Sequence, residues 1–240
     1  MNAKEFFKAF VEETDRETKY LFNEEYRREP SLRENNDGMK AEDVIRFKKY
    51  IKDKTGKALF YYFKEEEKQY TYIVNKIIVD SIIKKSGFWA QHEYFRIDSV
   101  GWNSRYQEYE EKTKKVGLNS HLWDLQIAVE HENSKTDWID EVMKLIHVKC
   151  PLKVVIAYNY CNCRDIGNYS DRNRLQMVAQ MMKEVKAFKE GQDEEYLVIL
   201  GNGKCKKNKG NENIKDYDNI GFDYRGYVYN RWIGEFEVIN

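Results

Sequence analysis

Hydrophobic positions recur with a helical period at the start of the chain, where Phe6, Phe7, Phe10 and Val11 share one face, and again at Val44, Ile45, Phe47, Tyr50 and Ile51 ahead of Gly56. Residues 28–38, between these two stretches, read as a loop. Tyr70, Ile73, Val74, Ile77, Ile78 and Ile82 then form a longer apolar stripe that stops near Ser86-Gly87, which predicts a third helix packed against whatever follows. The period changes there. Residues 93–102 and 122–132 have strand character and are separated by the charged stretch 104–117, an arrangement that suits a hairpin or meander. Residues 137–148 return to helical spacing through Trp138, Val142, Leu145 and Ile146, and Pro151 closes that helix. The run LKVVIAY at 152–158 predicts a buried strand. Ser170 or Asp171 can cap a further helix with Leu175, Val178, Met182 and Val185 inside, ahead of a strand over 196–200. A polar loop is expected over 201–219, and 222–230 with 236–239 read as a terminal hairpin.

This order predicts an α/β (α+β) protein with a mixed β-sheet, helices on both of its faces, and an N-terminal helical region. A chain of 240 residues suits one domain over 1–240, with a helical part at 1–90, a core at 91–200 and a β extension at 201–240. With 41% hydrophobic and 15% aromatic residues, wholesale disorder is excluded. The densest apolar run is strand-sized, far short of the roughly 20 residues of a membrane helix. The opening MNAKEFFKAFVEE has acids and bases among its apolar residues, so it reads as a helix rather than a signal peptide. A cytoplasmic protein without a membrane partner is therefore expected. Cys150, Cys161, Cys163 and Cys205 are too few for a disulfide scaffold, and Cys161-Asn-Cys163 lacks the two-residue gap of structural zinc knuckles. Basic and acidic residues balance at 41 each, which argues against a general polycation. Residues 144–190 nevertheless hold nine Lys and Arg against four Asp and Glu, either a phosphate-facing flank or a solvated helix face.

The stretch WDLQIAVEHEN, 123–133, carries the most chemistry. Read as a strand, it places Leu125, Ile127, Val129 and His131 on one face and Asp124, Gln126, Ala128, Glu130 and Glu132 on the other. Two carboxylates about 7 Å apart beside an apolar run have little use as core, whereas they can hold a divalent cation and position water. Asp124, six residues and near 20 Å from Glu130 along the strand, cannot share that ion. A third carboxylate must come from another strand, and Asp98, embedded in FRIDSVGW, is the natural candidate; a turn aspartate ahead of Gly101 is the alternative. His131 faces the apolar side, as a structural histidine does. Asn133 suits a turn, and His92 and His121 have no partner at a recognisable spacing.

An acid on one strand, an acid-x-Lys on the next and a helix after it make up the pattern of the PD-(D/E)xK nuclease superfamily, which the stretch 94–158 resembles. Asp98 matches the first acid and Glu130 the second, while Glu132 stands in the position usually held by Lys. The resemblance implies a restriction-endonuclease-like core and Mg²⁺- or Mn²⁺-dependent cleavage of DNA, in a setting such as restriction or phage defence. It implies catalytic roles for Asp98, Glu130, Glu132 and Lys144 and metal ligation by Asp98, Glu130 and Glu141. Relatives sometimes supply the displaced residue from the helix, which is why Glu141 and Lys144, three apart on that helix, enter; an exposed ion pair is the plainer reading. For the superfamily's additional N-terminal glutamate there is no convincing match, Glu65 to Glu67 reading as solvated and Glu93 as a weak candidate. Some relatives lacking the Lys are inactive, so a nuclease-fold module that binds nucleic acid or a protein partner is the alternative. Cutting both strands from one small site requires a homodimer or sequential nicking.

Contacts with DNA phosphates are expected from Lys204, Lys206 and Lys207 in the loop. Arg225 and Arg231 join them, interleaved with Tyr227 and Tyr229 on one face of a strand, a pattern suited to phosphates and bases. The same tyrosines also suit a sheet face that covers the core.

Overall fold

The computed structural model describes residues 1–22, 67–103, 111–118, 124–134, 136–159, 168, 170–190, 193–203 and 222–239. The sequence-predicted helix at 44–51, the loop at 28–38 and most of the loop at 201–219 lie outside them. Helix α1 (Ala3–Phe22) buries Phe6, Phe7 and Phe10. Helix α2 (Glu67–Tyr72) runs without a break through a π-helical segment (Ile73–Val79) into α3 (Asp80–Lys85), and its apolar stripe is buried as the spacing predicts. Then come β1 (Trp89–Tyr94), β2 (Ile97–Trp102), β3 (Leu125–His131), α4 (Trp138–Ile146), β4 (Leu152–Tyr158), α5 (Asp171–Glu184), α6 (Lys186–Glu190), β5 (Glu195–Gly203), β6 (Phe222–Asn230) and β7 (Glu235–Ile239). Ser170 caps α5, its side chain accepting from the Asn173 backbone N–H.

The seven strands form one mixed sheet in chain order. β1, β2 and β3 are antiparallel, β3, β4 and β5 are parallel through crossovers carrying α4 and then α5 with α6, and β6 and β7 return antiparallel. Alternation along the strands divides the core. Ile127, Val129, Val154, Ile156, Leu197 and Ile199 face α1, the π segment and α3. Ala128, Val155, Ala157, Val198, Leu200 and Tyr227 face α4, α5 and α6. The sheet therefore has helices on both faces, as expected from the element order. Among the described residues no helix is long and apolar enough to cross a membrane.

One strand reading needs correction. Residues 93–102 are not a single strand: Tyr94 pairs with Ile97, and the chain reverses through Phe95 and Arg96. Glu93, Phe95 and Arg96 have φ of 54°, 49° and 63°, in the left-handed region that favours Gly and Asn. No turn-forming residue marks the reversal, so periodicity alone reads through it.

Candidate active site

The β2–β3 register decides the site. Ser99 lies opposite Val129 and Val100 opposite Ala128, so the next step brings Asp98 opposite Glu130. The alternation that puts Val100 and Ala128 under α4 puts both carboxylates there too. The Asp98 backbone N–H donates to Glu130 Oε2 at 3.4 Å, and the His131 N–H donates to Asp98 Oδ2 at 2.8 Å. Each acid is thus tied to the other's strand.

The following helix supplies the counter-charge. Trp138, Val142 and Leu145 are buried against the sheet, and this docking swings Lys144 over the acids. Its Nζ lies 2.7 Å from Glu130 Oε1, pairs with the Glu141 carboxylate one turn back, and donates to the Arg96 carbonyl at 3.0 Å. The exposed pair read from spacing alone is instead a bridge from helix to sheet. Glu130 is only 2% exposed, and burial pushes its carboxyl up to about 8; the Lys144 hydrogen bond opposes this and the nearby Asp98 charge adds to it. Burial also raises Asp98, against the His131 N–H and with the help of Glu93. Desolvation works against the Lys144 charge, yet Glu130 and Glu141 outweigh it and hold the ammonium above the usual lysine value.

The Glu132 carboxylate turns back to accept the Ser134 backbone N–H at 2.6 Å, a local turn contact. His131 is the buried histidine its face predicts: Nε2 lies 2.9 Å from the Tyr158 hydroxyl, and burial lowers the imidazole to about 3. Asn133 donates to Thr71 Oγ1 at 2.7 Å. His92 does have partners, Ser99 Oγ at 3.0 Å and Asp80 Oδ1 at 3.2 Å, from elements that spacing could not connect. Tyr227 and Tyr229 are buried, so they cover the core rather than offering stacking faces. The Arg231 guanidinium lies over the Phe188 ring at 4.5 Å. Arg225 lines a groove of about 350 Å³ with Asp171, Arg172, Gln176, Tyr227 and Glu235. Lys204, Lys206, Lys207, His121, Glu65 and three of the cysteines lie outside the described residues. Cys150 is buried, its thiol donating to the Leu152 carbonyl at 3.3 Å and pushed up to about 12 by burial.

One participant escaped the sequence reading and another was underweighted in it. Glu93, weighed there only as a weak candidate, acts on Asp98 through its charge, and the Arg96 carbonyl holds Lys144. Only the tight reversal between them brings either to the site.

Among the described residues no three His, Cys, Asp or Glu side chains are grouped to hold a metal by themselves. The donor set that does face one space, Asp98 and Glu130, fits a hard cation such as Mg²⁺, which binds through one or two carboxylates and completes its shell with water and phosphate oxygens. Glu141 is bonded by Lys144, as Glu130 is, and its charge acts on both acids of that pair. No family model, curated protein or solved structure matches this chain.

Proposed function

We propose that this chain is a Mg²⁺-dependent endonuclease acting on DNA, of the PD-(D/E)xK kind, with the strand lysine replaced by Lys144 from the following helix. The observation that carries the reading is the placement of the Lys144 ammonium 2.7 Å from Glu130, itself opposite Asp98 on the neighbouring strand. An acid, a second acid on the next strand and a lysine among them is the pattern on which the resemblance rests. Glu132, in the slot where that pattern has its lysine, caps a turn instead.

Asp98 and Glu130 would hold the cation. Once bound, it would polarise a phosphate oxygen and lower the pKa of water. Lys144 sets a positive charge where a phosphate oxygen gains negative charge during phosphodiester cleavage, and Glu141 keeps it aimed. Glu130, its carboxyl raised to about 8 by burial, would have to give up its proton to hold the cation, so metal affinity would rise with pH. The Arg172 and Arg225 groove lies on the same sheet face: Glu130, Val155, Val198 and Tyr227 are in register across β3 to β6. Three strand spacings, about 14 Å, separate it from the acids, a distance at which it can hold the backbone away from the scissile bond.

The test is incubation of supercoiled plasmid, linear duplex and single-stranded DNA with Mg²⁺, Mn²⁺ or EDTA. Metal-dependent cleavage is expected, reduced at least 100-fold in Asp98→Ala, Glu130→Ala and Lys144→Met proteins that keep the wild-type circular dichroism spectrum. Intact substrate in every lane favours the second reading, a nuclease-like module that only binds, in which Lys144 permanently occupies the place beside Glu130.

A further inference from the structure

The β1–β2 reversal combines three features that fold stability alone does not require. It is a two-residue loop with φ positive at both central positions, the geometry in which Asn-Gly pairs are favoured, yet it is built from Phe95 and Arg96 and preceded by a third left-handed residue, Glu93. It holds an aromatic ring in water, Phe95 being 80% exposed. And it is fastened to the candidate active site, because Lys144 Nζ bonds the Arg96 carbonyl as well as Glu130, and Asp98 follows two residues later. Backbone strain of this kind persists where the surroundings impose it and is found where it serves a mechanism.

The ring is braced from behind. Tyr94 meets it edge-on at 4.5 Å and meets Trp102 at 4.8 Å, and Trp102 Nε1 donates to Gln91 Oε1 at 3.0 Å. The left-handed turn at Glu93 puts Tyr94 on this side, with Trp102, rather than with His92 below the sheet. Asp98 lies three steps along the chain from Phe95, on the order of 10 Å if extended and less across a turn. A nucleotide whose phosphate lies at the acid pair has its base within that span.

We propose that Phe95 is a base-stacking residue: the strained tip presents its ring to an unpaired nucleobase next to the phosphate held at Asp98 and Glu130. The inference rests on the nucleic-acid reading of that site and sharpens it. Base faces are covered in an intact duplex and open in single strands, gaps and flaps, so the preferred substrate is DNA with unpaired nucleotides. Arg96, exposed beside the ring, adds positive charge for the adjoining backbone.

The experiment measures binding of oligonucleotides carrying 2-aminopurine, single-stranded, gapped or fully paired, with cleavage blocked by EDTA and, separately, with Ca²⁺ present. Wild-type protein, Phe95→Ala and Phe95→Trp are compared. Expected are quenching of the fluorophore by wild type, affinity for single-stranded and gapped DNA about tenfold weaker in Phe95→Ala, and retention in Phe95→Trp. A fourth variant, Phe95→Asn, should melt a few degrees higher and bind as poorly as the alanine variant, since it relieves the backbone while removing the ring. Equal affinity of Phe95→Ala and wild type, or preference for paired DNA, overturns the inference. Plasmid cleavage run in parallel separates the two proposals. Cleavage with binding indifferent to Phe95 sinks the stacking role alone; Phe95-dependent binding without cleavage sinks the nuclease and leaves stacking in place; neither binding nor cleavage sinks both.

Discussion

At the scale of single residues, Glu130 and His131 are neighbours with opposite fates, because alternation sends them through opposite faces of the sheet. Glu130 takes its proton at about pH 8 when folded and near 4.3 when unfolded, so between those values the folded state binds more protons and stability falls as pH rises. His131, held neutral to about pH 3 by burial, has the reverse effect: below its unfolded value of about 6.5 it favours the unfolded state, and its contribution improves as pH rises to that point. The two slopes oppose one another below pH 6.5, leaving Glu130 to dominate from 6.5 to 8. Urea midpoints should therefore decline across that window, and Glu130→Gln should abolish the decline and stabilise the protein at pH 8, on the order of 1.4 kcal/mol for each pH unit removed. A Glu130→Gln protein with the wild-type slope would show that the carboxyl titrates normally. Lys144→Met is expected to cost about 1 to 2 kcal/mol at pH 8, less than for a fully buried ion pair because the ammonium is partly solvated. Chemical denaturation of the single variant measures it.

At the scale of elements, period identified the strands and helices while packing set their joints. The expectation of one strand over 93–102 fails at Phe95-Arg96 because the turn is imposed by the strands and by Lys144, not by the residues in it. Helix α4 was legible from Trp138, Val142 and Leu145, but the inward reach of Lys144 was not, since a wheel gives angles and the docking of the helix gives distances. The seat of α1 shows the same dependence. A Cβ built on Gly226 of β6 would stand 2.7 Å from Phe7 Cγ, so the helix lies directly on that backbone. Gly226→Ala should destabilise the protein by about 1 to 3 kcal/mol through overpacking, and Phe7→Leu in the same chain should recover part of the loss. Thermal melts of the two variants and the pair decide it; additive losses would mean that the two positions do not meet.

For the whole molecule, the sheet keeps chain order from β1 to β7 and changes from antiparallel to parallel and back. β4 lies mid-sheet and is buried at every position. Even Lys153, inside it, is fully covered, its ammonium bonded to Glu194 Oε2 at 2.5 Å and to the Tyr196 hydroxyl at 2.9 Å. Hydrogen exchange should accordingly be slowest in β4 and β5 and fastest in the edge strands β1 and β7; early exchange of the Val154 and Ile156 amides would contradict this core. By itself the sequence determined most helices and strands of the described residues, with β1 and α6 the exceptions, together with the buried faces and the mixed α/β class, because these follow from the recurrence of apolar side chains along the chain. It also singled out Asp98 and Glu130, as acids set in apolar strands whose burial needs compensation. Only the tertiary structure decided that the compensating charge is Lys144, that Glu132 caps a turn, and that the strained Phe95-Arg96 tip is tied to Glu130 through Lys144. Register, helix docking and a turn without turn residues are relations between distant segments, and local periodicity does not encode them.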